Sequence, residues 1–174
     1  KNISGTWTQQ GSDIDGENEG HESGWSVALS SDGSIVAIGA DCNGFNDSNS
    51  GYVRVYKNTS GTWTQIGSDI NGEKGYDLSG YSVSLSSDGS IVAIGAPYNR
   101  GNGPNAGHVR VYKNISGTWT QQGSDIDGEG DGPNGNSGWS VSLSSDGSIV
   151  AIGAPRNTSD SGPNAGHVRV YKNI

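Results

Sequence analysis

The residues best suited to chemistry are acidic or amide side chains that recur at three places in the chain. At each place, oxygen-bearing side chains occupy alternate positions beside a glycine. Oxygen ligands at this spacing can bind Ca²⁺, as part of an EF-hand-type loop does. Asp-Gly is also a common turn sequence, so the pattern leaves a calcium site and a simple turn as alternatives. The candidate ligands are Asp13, Asp15, Glu17, Asp69, Asn71, Glu73, Asp125, Asp127 and Glu129.

Catalytic motifs are missing from the rest of the sequence. There is no nucleophile-elbow motif, no histidine cluster, no Cys-His pair and no phosphate-binding Gly-Lys-Ser/Thr segment. His108 and His167 recur, but Tyr52 takes their place near the start of the chain, which argues against a required chemical role. We therefore predict a non-enzymatic protein that needs no cofactor, with calcium as the one candidate ion.

Five Asn-x-Ser/Thr sequons form a second set of candidate sites. In a eukaryotic secretory pathway they would be glycan acceptors on exposed turns, and elsewhere they are simply turn residues. The asparagines are Asn2, Asn46, Asn58, Asn114 and Asn157.

Aromatic residues recur as well and raise the question of sugar binding. Recurrence at one structural position fits packing between repeated units better than a ligand platform. We predict such packing for Trp7, Trp63 and Trp119, and a core position for Trp25, Tyr81 and Trp139.

Composition narrows the class of protein and its partners. The 174 residues include 30 glycines and few apolar residues, and no long amphipathic helical pattern occurs, which indicates an all-β chain of short strands. The net charge of -8 argues against nucleic acid or an anionic membrane as partner, and no apolar run is long enough for membrane insertion. Cys42 is the only cysteine, which excludes an internal disulfide. The absence of methionine predicts that the chain is processed, has had a tag removed, or is a segment of a longer repetitive protein.

The elements that position these residues come from an internal repeat. Residues 1–56, 57–112 and 113–171 are three copies of one unit, and residues 172–174 start a fourth. Within each copy, Ser-Val-Ser-Leu-Ser alternates with period two, Asp-Gly supplies a turn, and Ile-Val-Ala-Ile-Gly-Ala reads as a covered strand. Two further strands follow the patterns Thr62 to Ile66 and His108 to Tyr112. Four short strands per unit predict a β-propeller of four-stranded blades.

The run Ser-Gly-Tyr-Ser-Val-Ser-Leu-Ser-Ser-Asp-Gly-Ser-Ile-Val-Ala-Ile-Gly-Ala, followed by Gly-His-Val-Arg-Val-Tyr and Gly-Thr-Trp-Thr-Gln, resembles the FG-GAP repeat family in its bacterial and algal form. The resemblance implies integrin-α-like propeller blades on a secreted or cell-surface protein. It does not carry over the calcium loop of the integrin hairpin, because Asp32, Asp88 and Asp146 each stand alone in a shortened turn.

The two ends of the chain predict how the repeats are completed. The chain opens with an outer strand and ends with the strand that should pair with it, and three blades are too few for an ordinary ring. Neither end has the polar face of a capping repeat. We predict that these strands associate with copies of the chain or with neighbouring repeats, giving a closed ring or a fibre. The residues concerned are Thr6, Trp7, Thr8, Val168, Val170 and Tyr171.

The function predicted from the sequence is an extracellular structural or adhesive module. Loops that diverge among the copies fall on one face, where binding usually occurs, although unconstrained drift explains them equally well. A carbohydrate-binding lectin that uses those loops is therefore the alternative, with glycans or surface proteins as partners. An engineered repeat protein is a further alternative, which Cys42 and the unequal loop lengths disfavour.

Overall fold

A computed structural model describes residues 5–41, 50–129 and 135–174, together with the backbone of residues 2–3. Every regular element in these ranges is a β-strand, and none of the described segments forms a helix that could cross a membrane. The strands are β1 (Asn2–Ile3), β2 (Thr6–Trp7), β3 (Ser26–Leu29), β4 (Ile35–Ala40), β5 (Tyr52–Thr59), β6 (Thr62–Gln65), β7 (Ile70–Asn71), β8 (Ser82–Leu85), β9 (Ile91–Ala96), β10 (His108–Ile115), β11 (Thr118–Gln121), β12 (Ile126–Asp127), β13 (Ser140–Leu143), β14 (Ile149–Ala154) and β15 (His167–Lys172).

Most strands belong to three antiparallel sheets built on one plan. The first sheet has the order β3-β4-β5-β6, with β7 also paired to β5, and the second has the order β8-β9-β10-β11, with β12 paired to β10. The third sheet contains β13-β14-β15, and β1 and β2 form a separate hairpin. The predicted all-β class is confirmed. In the described residues, the third sheet has no outer strand comparable to β6 or β11.

The central hairpin of each sheet follows directly from its local sequence. In the second sheet, Ser82 is opposite Gly95 and Leu85 is opposite Val92. Gly89 adopts a positive φ of 70° in the turn, which glycine tolerates without steric cost. The Asp88 carboxylate accepts bonds from the hydroxyl groups of Ser86 and Ser90, at 2.7 and 2.8 Å, and thereby closes the turn.

The sheets do not coincide with the copies in the sequence. The third strand continues past the end of one copy, as β5 does to Thr59, and turns back into the first strand of the next copy, β6. Asn58 Oδ1 closes this turn by accepting a bond of 2.9 Å from the backbone N–H of Gly61. Each complete sheet therefore takes its outer strand from the copy that follows.

The core lies between successive sheets. Val53 and Val55 of the first sheet pack with Leu85, Val92 and Ile94 of the second. A second cluster joins the middle and third sheets through Ala93, Val109, Val150 and Ile152. Each sheet is therefore stabilised mainly by the apolar face of its neighbour.

Candidate interaction surfaces

Two junctions between sheets repeat the same polar contacts. The hydroxyl of Ser26 donates to the carbonyl of Gly80 at 2.7 Å, and that of Ser82 donates to the carbonyl of Gly138 at 2.8 Å. The backbone N–H of Ser31 likewise donates to Ser87 O at 2.9 Å, as Ser87 does to Ser145 at 2.8 Å. Every such contact joins one sheet to the next along the chain.

Glycine allows the backbones to approach closely at these junctions. A Cβ atom on Gly39 would overlap the carbonyl oxygen of Gly80, and one on Gly95 would overlap that of Gly138. At Gly153, the corresponding position of the third sheet, a Cβ atom would be close only to the side chain and backbone of Ser140 in the same hairpin. The third sheet therefore has the groups that form a junction but no sheet beyond it in the part of the chain that the structure describes.

Trp63 and Trp119, on the outer strands β6 and β11, bond to the segments just after β2 and β6, respectively. Trp63 Nε1 donates to Gln10 O at 2.7 Å, and Trp119 Nε1 donates to Ile66 O at 2.8 Å. Trp119 also packs against the apolar cluster between the first and second sheets. Trp7 has the same place in its copy, but its side chain is 80% exposed.

The two end sheets each expose an apolar face. The leading face, on the first sheet, comprises Trp25, Val27 and Leu29, and the trailing face, on the third sheet, comprises Ile149, Val168 and Val170. Val168 is 69% exposed, whereas Val53, at the same position of the first sheet, is fully buried. Exposed apolar residues that are contiguous and repeat a core position indicate an interaction surface.

A groove opens between the second and third sheets, on the opposite side of the third sheet from the trailing face. Its volume is about 260 Å³, and its walls include apolar side chains of both sheets. We call it the outer groove; the residues used below are Val111, Gln122, Ile126, Leu143, Val150 and Tyr171.

The acidic segments of the second and third copies are not loops. Ile70–Asn71 and Ile126–Asp127 form β7 and β12, which extend the sheets beside β5 and β10. The side chain of Ile70 is buried in the core, which holds the segment extended. Ile70–Asn71 and Ile126–Asp127 are therefore short strands instead of the turns that the sequence suggests.

Arg54 takes up two of the candidate calcium ligands. Its Nε and Nη2 atoms donate to the two carboxylate oxygens of Asp69 at 2.9 and 2.8 Å, and Glu17 lies 2.6 Å from Nη2. These bonds lower the pKa of Asp69, chiefly through the hydrogen bond from Arg54. The same contacts raise the pKa of Arg54, so the pair is ionised at neutral pH.

A different set of possible metal ligands lies together at the second sheet. Ligand atoms of Glu73, His108 and Asp125 all lie within 4.8 Å of one another. Burial lowers the pKa of His108, so its imidazole is neutral at pH 7. Arg110 Nη1 lies 3.7 Å from Glu73, and its Nη2 donates to Asn71 O at 2.9 Å. Neutral imidazole is a ligand of transition metals, whereas calcium takes oxygen ligands.

The remaining acidic residues of the candidate calcium sites are exposed. Asp13 and Asp15 are exposed, and Gln9 Nε2 donates to Asp13 at 2.7 Å. Asp127 is exposed on β12, and Glu129 pairs with Arg169. The calcium site stays a prediction for these residues.

The three sequons whose asparagine side chains the structure describes do not lie on freely exposed turns. Asn58 and Asn114 are at the ends of β5 and β10, where each Oδ1 accepts a turn bond and each Nδ2 is buried. Asn157 is 7% exposed. A glycan attaches at Nδ2. Because these asparagine side chains are largely buried, their attachment atoms are shielded in the folded chain. The side chain of Asn2, and Asn46 and Cys42 as a whole, lie outside the described residues, and glycosylation stays a prediction.

The inner-strand aromatics form a row across the three sheets. Ring centroids are 5.5 Å apart for Trp25 and Tyr81, and 4.8 Å apart for Tyr81 and Trp139. Two residues of a divergent loop region, Tyr98 and Arg156, extend the row over Trp139. The sequence predicts a core position for these aromatics, but Trp25 is 47% exposed, whereas Tyr81 and Trp139 are half-buried.

Comparison with known families supports the predicted resemblance. Residues 71–112 match the FG-GAP repeat family. The match runs from Asn71, at the end of β7, through the central hairpin of the second sheet to Tyr112 in β10. The FG-GAP resemblance read from the sequence is confirmed for this segment, and the segments on either side repeat its hairpin almost residue for residue.

Solved structures show the same architecture at low sequence identity. The chain is similar to hydrazine synthase of Kuenenia stuttgartiensis, with 13% identity and a TM-score of 0.52. The likeness covers 95% of this chain and 36% of the other, so the chain spans about a third of that structure's length. At this identity it shows the fold alone. Together with the FG-GAP repeat, it supports a β-propeller-like repeat module. No curated protein matches the chain.

Sequence reasoning missed the arginine partners of the acidic segments. Arg54, Arg110 and Arg169 occupy one position of the repeat and each lies beside a glutamate of an acidic segment. The signal was available, because an arginine recurs between two valines in an otherwise apolar strand. A charged side chain at such a position needs an ionic partner.

Proposed function

We propose that this chain is a non-enzymatic structural or adhesive module of FG-GAP-like propeller repeats that acts by self-association. The exposed valines of the trailing face carry the proposal. Val168 and Val170 repeat positions that are buried in the first sheet, and Val27 and Leu29 repeat positions that help to cover them. Burying one such side chain is worth about 1.5–3 kcal/mol, so two matching faces provide a strong drive to associate.

A non-catalytic role agrees with the state of the polar residues. Some of the recurring acids have structural partners: Asp69 binds Arg54, and Asp88 closes a hairpin turn. The FG-GAP resemblance favours an extracellular or cell-surface location, where a chain that joins end to end would serve adhesion or a surface layer. We propose calcium as no more than an accessory ion.

Light scattering over a concentration series tests self-association. We expect particles larger than one chain, and we expect Leu29→Asp on the leading face and Val170→Asp on the trailing face each to give monomers. Thr120→Asp, at an exposed position on the outer strand of the middle sheet, is the matched control and should associate like the unmodified chain. A compact monomer at all concentrations contradicts the proposal.

The aromatic row favours carbohydrate binding as a second candidate function. The rings of Trp25, Tyr81 and Trp139 are successive neighbours, with centroids 5.5 and 4.8 Å apart, and Arg156 is 5.4 Å from the ring of Trp139. Aromatic faces with adjacent polar groups are typical of ligand sites that stack against flat apolar surfaces. A glycan array tests this candidate. A lectin should bind a defined sugar saturably, and Trp139→Ala should abolish that binding while Trp119→Ala retains it.

A further inference from the structure

We propose that residues 6–10 of a second copy supply an outer strand to the third sheet, which has none among the described residues, and that Trp7 of the second copy inserts into the outer groove. The proposal rests on the proposed self-association and specifies its geometry. It requires that one chain end fits the other as successive sheets fit within the chain.

The register follows from the complete sheets. Lys57 is opposite Thr64 in the first sheet, and Lys113 is opposite Thr120 in the second. The corresponding residues at the chain ends are Lys172 and Thr8. By the same register, Tyr171 lies opposite Gln9 of the second copy. The two ends share the sequence Lys-Asn-Ile, so residues 173–174 can replace β1 opposite β2 of the second copy.

Trp7 and the outer groove fit each other because an equivalent pair exists inside the chain. Trp119 packs against the cluster between the first and second sheets, which includes Val55, Ile70, Leu85 and Tyr112. One copy further along, the same positions are Val111, Ile126, Leu143 and Tyr171, which line the open outer groove.

The hydrogen bond of the indole has its equivalent too. Trp63 and Trp119 donate to the carbonyls of residues 10 and 66, which correspond to Gln122 in the wall of the outer groove. The exposed indole of Trp7 would therefore gain both an apolar pocket and an acceptor, which is typical of residues that dominate binding energy.

The contact between the hairpin-turn glycine of one sheet and an isoleucine of the preceding sheet is also unmade at the leading and trailing faces within the described ranges. A Cβ atom on Gly89 would meet Ile35 of the preceding sheet, whereas one on Gly33 would meet open space. Ile149, the residue that corresponds to Ile35, is exposed on the trailing face. The trailing face of one copy and the leading face of another thus have complementary shapes at this point.

A second copy fits this arrangement better than the chain's own N-terminal strand. The leading and trailing faces belong to the first and third sheets, which lie on either side of the middle sheet. Propellers typically need four to eight blades to close, and two copies supply six sheets. The contact is head-to-tail, so it produces a ring if the rotation closes and a fibre if it does not.

Disulfide trapping between chains tests the register. In a Cys42→Ser background, Thr8→Cys protein is mixed with Lys172→Cys protein under mild oxidation, and linked peptides are identified by mass spectrometry. We expect a disulfide that joins position 8 of one chain to position 172 of another. Replacing Lys172→Cys by Asn173→Cys is the matched control, since adjacent strand residues face opposite sides, and should reduce the yield about tenfold.

Trp7→Ala tests the groove by light scattering. We expect association to weaken about 30-fold or more, because truncating a central aromatic anchor typically costs at least about 2 kcal/mol. Trp119→Ala is the matched variant, which should lower the unfolding temperature and leave the association constant within about threefold, since a distant site acts independently.

The outcomes separate this inference from the proposed function. Association without the disulfide between positions 8 and 172, or with equal yields from both mixtures, overturns the docking geometry and leaves self-association intact. A variant with both substitutions in one chain that links only within monomers shows closure by the chain's own strand and overturns the second copy as occupant. Monomers at every concentration overturn both proposals.

Discussion

The junction between the first and second sheets and the trailing face of the third sheet contain the same residues in different surroundings. Val53 and Val55 are buried beneath the second sheet, whereas Val168 and Val170, at the same positions of the repeat, face solvent. The hydrogen bonds within each central hairpin are the same in both places. Hairpin formation is therefore local, and the burial that stabilises a sheet depends on its neighbour.

The largest expected effect comes from placing a charge in each environment. We expect Val109→Asp, in the buried middle sheet, to reduce the free energy of unfolding by at least about 4 kcal/mol, because the carboxylate has no partner there. Val168→Asp should change it by less than about 1 kcal/mol and abolish association. Thermal unfolding and light scattering measure the two effects. Equal loss of stability in both variants contradicts the comparison.

The close backbone approach predicts the next largest difference. A methyl group at Gly95 would overlap the carbonyl oxygen of Gly138, so Gly95→Ala should cost about 3 kcal/mol. At Gly153 the nearest atom is the hydroxyl of Ser140, which can rotate away. Gly153→Ala should therefore cost under about 1 kcal/mol but weaken association. Denaturant unfolding compares the two, and a Gly153→Ala variant that still associates fully would contradict the proposed packing.

The arginine of the repeat gives a smaller contrast. Arg54 is buried and binds two carboxylates, whereas Arg169 is more exposed and pairs with Glu129. We expect Arg54→Gln to lower the free energy of unfolding by about 2 kcal/mol, since charged hydrogen bonds to Asp69 are lost. Arg169→Gln should cost under about 1 kcal/mol in the monomer. Chemical denaturation at low and at high salt checks whether the difference is electrostatic.

The three hairpin aspartates, Asp32, Asp88 and Asp146, should make nearly equal contributions to stability. A backbone bond from Ser34 lowers the pKa of Asp32 to about 2, a side-chain bond from Ser144 lowers the pKa of Asp146 to about 2, and the pKa of Asp88 is lowered through the backbone N–H of Ser90. A carboxylate whose pKa is lowered in the folded state stabilises the fold at pH values above its unfolded-state pKa, which is about 4. This contribution is lost as the pH falls toward about 2.

Unfolding temperatures measured from about pH 5 down to about pH 2 test this expectation. Each Asp→Asn variant should remove part of the decline, and the three variants should behave alike because the turns have the same local bonds. A much larger effect at Asp88 than at Asp32 would show that the neighbouring sheets contribute to the turn.

Much of the fold could be read from the sequence because its signals are local. Alternation in Ser-Val-Ser-Leu-Ser and the Asp-Gly turn predict β8, β9 and their pairing, which are present. The short strand Ile70–Asn71 could not be predicted, since its extended shape depends on burial of Ile70 against another sheet. The same limit applies to the candidate site, where the partner of Asp69 lies fifteen residues away on β5.

The sequence by itself determined the hairpins, the repeat and the FG-GAP resemblance, because each depends on residues that are neighbours in the chain. Only the tertiary structure decided which copies of a residue are covered. Identical Val-Arg-Val segments are buried in the first sheet and exposed in the third, and equivalent tryptophans are packed at Trp119 and exposed at Trp7. The physical reason is that an apolar face is buried only when another surface packs against it. Whether a sheet has such a neighbour depends on how the sheets assemble.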